Sequence, residues 1–530
     1  MNKSYKRAPY VFSLLLVVVV YLFTHLWQLL SLPVFADESI YIRWAQLIID
    51  DWQQYLFFPL NDGKTPLFMW LLVPFQFLFS DQLYAARLVS VFFGLGQIGA
   101  TIWIVRLLGG KRLSQFFAAL FVTMLPFWFF HHRMALIDAT LCLFLTLSLA
   151  SFLKVATHSF SFQYHSVWQI KKVFRTALRE PWLLLAGILF GLALWTKVPA
   201  ILFAPTFLLV AFLPTQKSHS ERVLLLIQAS SAIAIGLVVF LLLKTQPVFS
   251  QLFSRGSDFL FPWQEVVFSG KWQQTIISIP TYTQYFLQYL TPAVVVLAVG
   301  GLFARTQRRT TMVLLLSALS FILPIALLGK VVYPRYFMPA IIPLTVAASL
   351  LLEKLFLLSR DTTKTLKKRI VFAVVAVLLL ANSISAAVLF ILPSLTATDT
   401  TPFVSADVTQ YLTEWSSGHG IIETVALIQE KSQHGTVAVA TEGFFGTLPD
   451  AILLYLHRRD VSNIMVQGIG QPVLGIPDAF IAQAASYDTV WLVVNSHRMH
   501  MDTTDLKLID EFCRPYKGPC LQVWELRSSL

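Results

Sequence analysis

Asp37 and Glu38 stand side by side in Pro33-Val34-Phe35-Ala36-Asp37-Glu38-Ser39-Ile40-Tyr41, directly after a long apolar run. A carboxylate so placed can take a proton from a hydroxyl that is becoming a nucleophile. Cations occur at comparable places: Lys64 in Gly63-Lys64-Thr65-Pro66-Leu67, Arg133 after His131 and His132, and Lys197 in Trp195-Thr196-Lys197. Lys330, Tyr333, Arg335 and Tyr336 share one short connection, and a further acid, Asp138, follows Arg133 by five residues. Arginine offers a planar fork to a phosphate, and lysine a point charge. An acid set against several cations suits one task. The acid activates a hydroxyl while the cations hold and neutralise a phosphate leaving group.

Each residue also has a plainer reading. Asp-Glu after a helix can cap the next helix. Lys64 and Lys197 can reach the interface as anchors, and Arg133 can pair with Asp138. His131 and His132 are read as interfacial or acceptor-contacting, because no third ligand has metal-binding spacing. Arg87, in Tyr84-Ala85-Ala86-Arg87-Leu88, reads as a structural anchor near the outer surface. The chemical reading rests on convergence: every candidate falls on one side of a membrane whose sidedness comes from other residues.

The elements that must position them are apolar helices. Of the 530 residues, 56% are hydrophobic and 13% charged, more apolar surface than a soluble domain can bury. About eleven runs are long enough to be spans, near residues 10–32, 85–106, 114–131, 138–154, 182–197, 199–214, 223–243, 283–304, 312–328, 338–353 and 370–392. The shorter run 65–79 reads as an interfacial or re-entrant helix. The first run follows Lys3, Lys6 and Arg7 and is read as a span, since it is long for a signal peptide and lacks a small-residue cleavage site.

The net charge of +12 would suit a nucleic-acid partner in a soluble protein. Here it is spread over alternate loops: Arg106/Lys111/Arg112, Lys171/Lys172/Arg175/Arg179, Lys217/Arg222, Arg305/Arg308/Arg309 and Lys364/Lys367/Lys368/Arg369. Short basic loops stay inside. The N-terminus is therefore expected in the cytoplasm and the C-terminal region outside, with no nucleic-acid partner.

Residues 1–393 read as a helical membrane domain and 394–530 as a second, extracytoplasmic α/β domain. In the latter, strand-like runs Val437–Thr441, Ile464–Val466, Val490–Asn495 and Leu521–Trp524 alternate with helical stretches at 405–415, 421–431 and 449–457. Cys513 and Cys520 could form one disulfide if this region is outside, and Cys142 reads as inert core. Thr441-Glu442-Gly443-Phe444-Phe445-Gly446, between a strand and a helix, could cradle an anion or a sugar, and reads first as a tight strand-to-helix turn. The segment 244–282, with Arg255, Asp258, Trp263, Glu265 and Trp272, is the better candidate for contact with a sugar.

At these residues the chain resembles the GT-C superfamily, in the branch of protein O-mannosyltransferases and bacterial aminoarabinose transferases. The resemblance rests on Asp37-Glu38, Gly63-Lys64-Thr65-Pro66-Leu67, Ala85-Ala86-Arg87-Leu88, Arg133-Met134-Ala135-Leu136-Ile137-Asp138, Gly191 to Lys197 and Arg335-Tyr336-Phe337-Met338-Pro339. Together these span roughly residues 10–350. Thr65 departs from the family's pattern, standing where a proline is usual.

The resemblance implies a polytopic helical GT-C fold with an outer domain and an inverting transfer from a polyprenyl-phosphate-linked sugar. The acceptor would be a protein, lipid or glycan, and no cofactor or metal is expected. It implies Asp37 as the base, with Glu38 its neighbour and Asp138 a second acidic position. Lys64 and Arg335 fall at positions suited to the lipid phosphate. Lys197, Arg133, His132, Tyr333 and Tyr336 complete the expected substrate-binding set.

No Trp-Trp-Asp-Tyr-Gly element is present, which argues against whole-glycan transfer to asparagine. A transporter or flippase of a lipid-linked sugar is the alternative from another class, but neither an internal repeat nor a charge in a span centre favours it. A non-catalytic assembly protein would not need Asp37 and Lys64.

Overall fold

Apolar helices at the expected runs account for most of the chain. The computed structural model describes residues 8–59, 62–157, 180–213, 219–457 and 462–526. Lys3, Lys6, Arg7, Lys171, Lys172, Arg175, Arg179 and Lys217, which bear on the expected sidedness, lie outside the described residues. Among those described, seven helices are long and apolar enough to cross a membrane, from Ala8–Leu26 to Leu366–Thr396. Three shorter apolar helices, Arg112–Met124, Pro181–Thr196 and Val198–Val210, fall on further expected runs. The chain is a multi-pass membrane protein.

One expected span is not a single helix. Between Trp272–Tyr289 and Pro292–Phe303 the axis turns by 98°. Pro292 has no N–H to continue the helix and disfavours helical geometry in the residue before it. Thr291 there adopts φ +70°, and its hydroxyl caps Val294 N–H at 3.4 Å. The run 65–79 contains a ten-residue helix, Leu67–Gln76.

The chain groups into two compact units. The first comprises Met1–Trp27, Phe57–Phe68 and Ser90–Leu395; the second comprises Gln28–Leu56, Met69–Val89 and Thr396–Leu530. The last stretch of the second unit begins at Thr396, and two earlier stretches, Gln28–Leu56 and Met69–Val89, belong to the same unit.

In the first unit, Met338–Arg360 is the central helix, buried at every residue from Met338 to Glu353. Leu366–Thr396 instead exposes Val371, Val374, Leu378, Leu389 and Leu392, a face suited to lipid tails. Helix Pro181–Thr196 meets His219–Leu241 through Gly187 and Gly191. A Cβ on Gly191 would lie 2.4 Å from the Val239 side chain, so glycine permits this approach. Trp195 Nε1 donates to Val239 O at 2.9 Å and fixes the register. The buried carboxylate of Glu353 accepts from Lys111 N and Ser114 N, capping helix Arg112–Met124.

The second unit is built on a five-stranded sheet in the order β2-β1-β3-β5-β4: β1 Val437–Thr441, β2 Ile464–Gly468, β3 Thr489–Asn495, β4 Leu506–Cys513 and β5 Cys520–Leu526. β1 runs parallel to β2 and β3, while β5 is antiparallel to β3 and β4. Ala438, Ala440, Leu492, Val494 and Phe480 form the core on one sheet face. Cys513 and Cys520 are paired across β4 and β5 and form a disulfide.

Strand β4 was not expected. Lys507, Asp510 and Glu511 break its alternation, and as an edge strand it keeps most side chains in solvent. Charged residues on an edge also oppose unwanted strand pairing.

His419 precedes helix Ile421–Ser432. Burial, with repulsion from Arg514, lowers its pKa to about 4, although Asp399 acts in the opposite direction. Between pH 6.5 and 4 the unfolded chain therefore binds a proton that the folded unit refuses, and stability falls as the pH drops through this window. Because the ring is partly solvated, the expected loss is about 1–2 kcal/mol, less than the full pKa equivalent. His419→Gln should flatten that part of a stability-versus-pH profile measured by denaturant unfolding. An unchanged profile would refute the assignment.

Candidate active site

Asp37 and Glu38 lie in the first turn of helix Ala36–Asp50. Ten of its fifteen residues are buried, and Ser39 Oγ donates to Gly446 O at 2.8 Å. Gln46 Nε2 donates to Leu454 O at 3.1 Å, so the helix is embedded in the second unit.

The two acids diverge at once. Glu38 is fully buried, and its Oε2 accepts from Phe35 N–H at 3.0 Å, closing the helix start. Arg87 Nε donates to Glu38 Oε1 at 2.8 Å and Nη2 to Oε2 at 2.7 Å, a two-pronged pair. Arg87 also donates to the carbonyls of Leu29, Leu32 and Pro33. It thus ties the approach loop to the acid's helix, as the anchor reading implied. Asp37, one position earlier, is half-buried. Consecutive helical side chains point about 100° apart, so Asp37 cannot share Glu38's direction.

In the first unit a second group forms around Lys197, the residue that ends helix Pro181–Thr196 in extended geometry. Lys197 Nζ lies 2.9 Å from Oδ1 of the buried Asp138, in the first turn of helix Ile137–Thr157. It also sits 4.7 Å from the Tyr336 ring centre. The Arg335 guanidinium lies 5.5 Å from the Tyr336 ring and 5.9 Å from that of Tyr333. Two cations thus lie beside aromatic faces, with Asp138 the carboxylate partner of Lys197. Five of the expected residues therefore meet: Asp138, Lys197, Tyr333, Arg335 and Tyr336.

Lys64 is held by Asp62 at 2.9 Å, and the other oxygen of Asp62 takes Arg255 Nη1 at 2.9 Å. Asp62, not singled out from the sequence, is thus the bridge between Lys64 and the segment 244–282. Its position in Asp62-Gly63-Lys64 was the available signal.

Two expected contacts have other surroundings. Arg133 does not pair with Asp138, whose partner is Lys197; it donates to the carbonyls of Thr24 and Trp27, gripping the end of helix Ala8–Leu26. His132 has no exposed surface and packs among Tyr21, His25 and Trp128, against Gly94. Such burial gives it a packing role in place of acceptor contact. Among the described residues of 244–282, Trp263 and Trp272 are exposed.

A family model described as dolichyl-phosphate-mannose-protein mannosyltransferase matches residues 56–253. No curated protein matches the sequence. Among solved structures, the chain is similar to ArnT from Cupriavidus metallidurans in the apo state, with 16% identity, 97% of each chain covered and a TM-score of 0.56. The same protein bound to undecaprenyl phosphate matches with 16% identity, 98% of each chain and a TM-score of 0.55. The archaeal oligosaccharyltransferase AglB from Archaeoglobus fulgidus, in complex with an inhibitory peptide and a dolichol-phosphate, matches at 14% identity over 93% of this chain and 70% of that one, with a TM-score of 0.54. The fold is GT-C, a helical membrane unit with a C-terminal α/β unit. At these identities the likeness is one of fold: the chain folds as ArnT and AglB do.

Proposed function

We propose that this membrane protein is a glycosyltransferase that moves a single sugar from a polyprenyl-phosphate donor to an acceptor outside the cytoplasm, with inversion at the anomeric carbon. The observation that carries the reading is the division of labour between adjacent acids. Glu38 is spent on Arg87 and on the start of its own helix, which fixes the backbone that presents Asp37. Asp37 takes the proton of the acceptor hydroxyl as the oxygen attacks the anomeric carbon. The bond from that carbon to the phosphate oxygen breaks, and the lipid phosphate leaves with the electron pair.

Arg335 and Lys197 supply positive charge for the phosphate, and Asp138 orients Lys197. Lys64 is a further phosphate contact, oriented by Asp62. The similar structures with bound undecaprenyl phosphate and dolichol-phosphate support a lipid phosphate as the leaving group. The alternating basic loops support a cytoplasmic N-terminus and an outer C-terminal unit.

Purified protein in nanodiscs, given a panel of polyprenyl-phosphate sugars and candidate acceptors, should release free lipid phosphate in step with glycosylated product. No turnover with any donor would remove the reading. Arg335→Ala and Lys64→Ala should each raise the donor KM about tenfold or more, the usual worth of a charge-assisted contact, with the acceptor KM unchanged. The opposite pattern would reassign both residues to the acceptor.

A further inference from the structure

A cleft of about 460 Å³ opens within the second unit, lined by Gln28, Ser31, Leu32, Thr398, Asp399 and His419 among others. This is within the usual range for a small-molecule site. None of its lining residues belongs to the proton-transfer or phosphate groups described above.

Its polar chemistry can be worked out. The Ser417 hydroxyl donates its one proton to Tyr411 O at 2.9 Å, so its oxygen must accept at the 2.6 Å contact with His419 Nδ1. The proton of His419 therefore sits on Nδ1, and Nε2 carries a lone pair. Asp399 adds a carboxylate, and Gln28, Ser31 and Thr398 add amide and hydroxyl groups that both donate and accept. Among the described residues, no lysine or arginine lines the cleft. An anionic ligand would meet the like charge of Asp399, and the nearby Arg514 does not line the cleft and gives its Nη1 and Nη2 to Pro519 O and Ser417 O, whereas hydroxyl and ammonium donors meet acceptors. Leu32, Leu412 and two prolines supply apolar surface for the C–H face of a ring.

Gln28 lies two residues beyond helix Ala8–Leu26, and Thr398 two beyond Leu366–Thr396. Two residues reach at most about 7 Å. Pro33, in the cleft wall, precedes Asp37 by four residues, at most about 14 Å along the chain.

We infer that this cleft binds a neutral or cationic, hydroxyl-bearing, sugar-like group and forms the acceptor side of the site, an assignment that rests on the transferase reading above. Soluble glycans and lipid-borne sugar headgroups share this chemistry.

The full chain in nanodiscs can be tested by saturation-transfer NMR with methyl α-D-glucopyranoside, D-glucosamine and D-galacturonate. The first two should give signal and should exceed galacturonate about fivefold, the effect of one unit charge near 4 Å in a water-like dielectric. Ser31→Phe, at an exposed position where a fold defect is not expected, should remove the signal by filling the cleft. Asp399→Asn, also exposed, should erase the preference over galacturonate. Equal signals from all three probes, or signal that survives Ser31→Phe, would overturn the inference.

Nanodiscs carrying a glucosyl diacylglycerol should compete with the soluble glycoside if the source is a lipid; absence of competition assigns the cleft to soluble glycans. Donor cleavage by the wild-type protein is read in parallel. Cleavage without probe binding removes the cleft alone, and probe binding without cleavage removes the transferase reading alone.

Discussion

Asp37→Asn should lower transfer by about a thousandfold, within the range that a positioned general base supplies. The amide matches the carboxylate in size, and at the start of helix Ala36–Asp50 it still tolerates the local geometry. What it loses is the ability to take a proton. Glu38 cannot substitute, because Arg87 holds both its oxygens and Phe35 N–H adds a third bond. Water can still remove the proton slowly, which leaves residual turnover.

Binding of undecaprenyl phosphate should be unchanged in the same variant, since no contact to the leaving group is altered. Product formation and lipid-phosphate binding, measured on one preparation, separate a lost base from a lost fold. Wild-type turnover in Asp37→Asn would remove Asp37 from the chemistry.

Much of this arrangement was legible in the sequence because it depends on local pattern. Long apolar runs can bury their backbone groups in a membrane only as helices, so the expected runs coincide with apolar helices. The pairing of Lys197, Arg335 and the tyrosines was partly legible, since each sits at a helix end beside an apolar run.

The distinct roles of Asp37 and Glu38 were not legible. They depend on Arg87, 49 positions from Glu38, and on which way each side chain leaves the helix. Nor does local pattern show that Gln28–Leu56 joins the C-terminal sheet unit, because contacts such as Gln46 to Leu454 span about four hundred residues. Strand β4 escaped because β propensity describes half-buried surface, and this edge strand has little. The kink before Pro292 was available from the proline itself and was overridden by the apolar run around it.

Arg87→Ala should be the most destabilising single change among the residues discussed, at about 3–5 kcal/mol. It leaves the Glu38 carboxylate buried without its cation and removes donors from the carbonyls of Leu29, Leu32 and Pro33. Arg87→Lys should recover little, since one ammonium cannot span two carboxylate oxygens and three carbonyls. Combining Arg87→Ala with Glu38→Ala should cost less than the two single changes added together, by up to about 3 kcal/mol, because no buried charge then remains. Thermal unfolding in nanodiscs reads the stability term. Trypsin cleavage at Arg43, inside the helix that Glu38 opens, reads the local one. If the clamp presents Asp37, Arg87→Ala should also lower kcat at temperatures where the protein remains folded, with little change in donor KM. A variant with unchanged melting and unchanged protease resistance would show that the pair does not hold this helix start, and the account of how Asp37 is presented would fail with it.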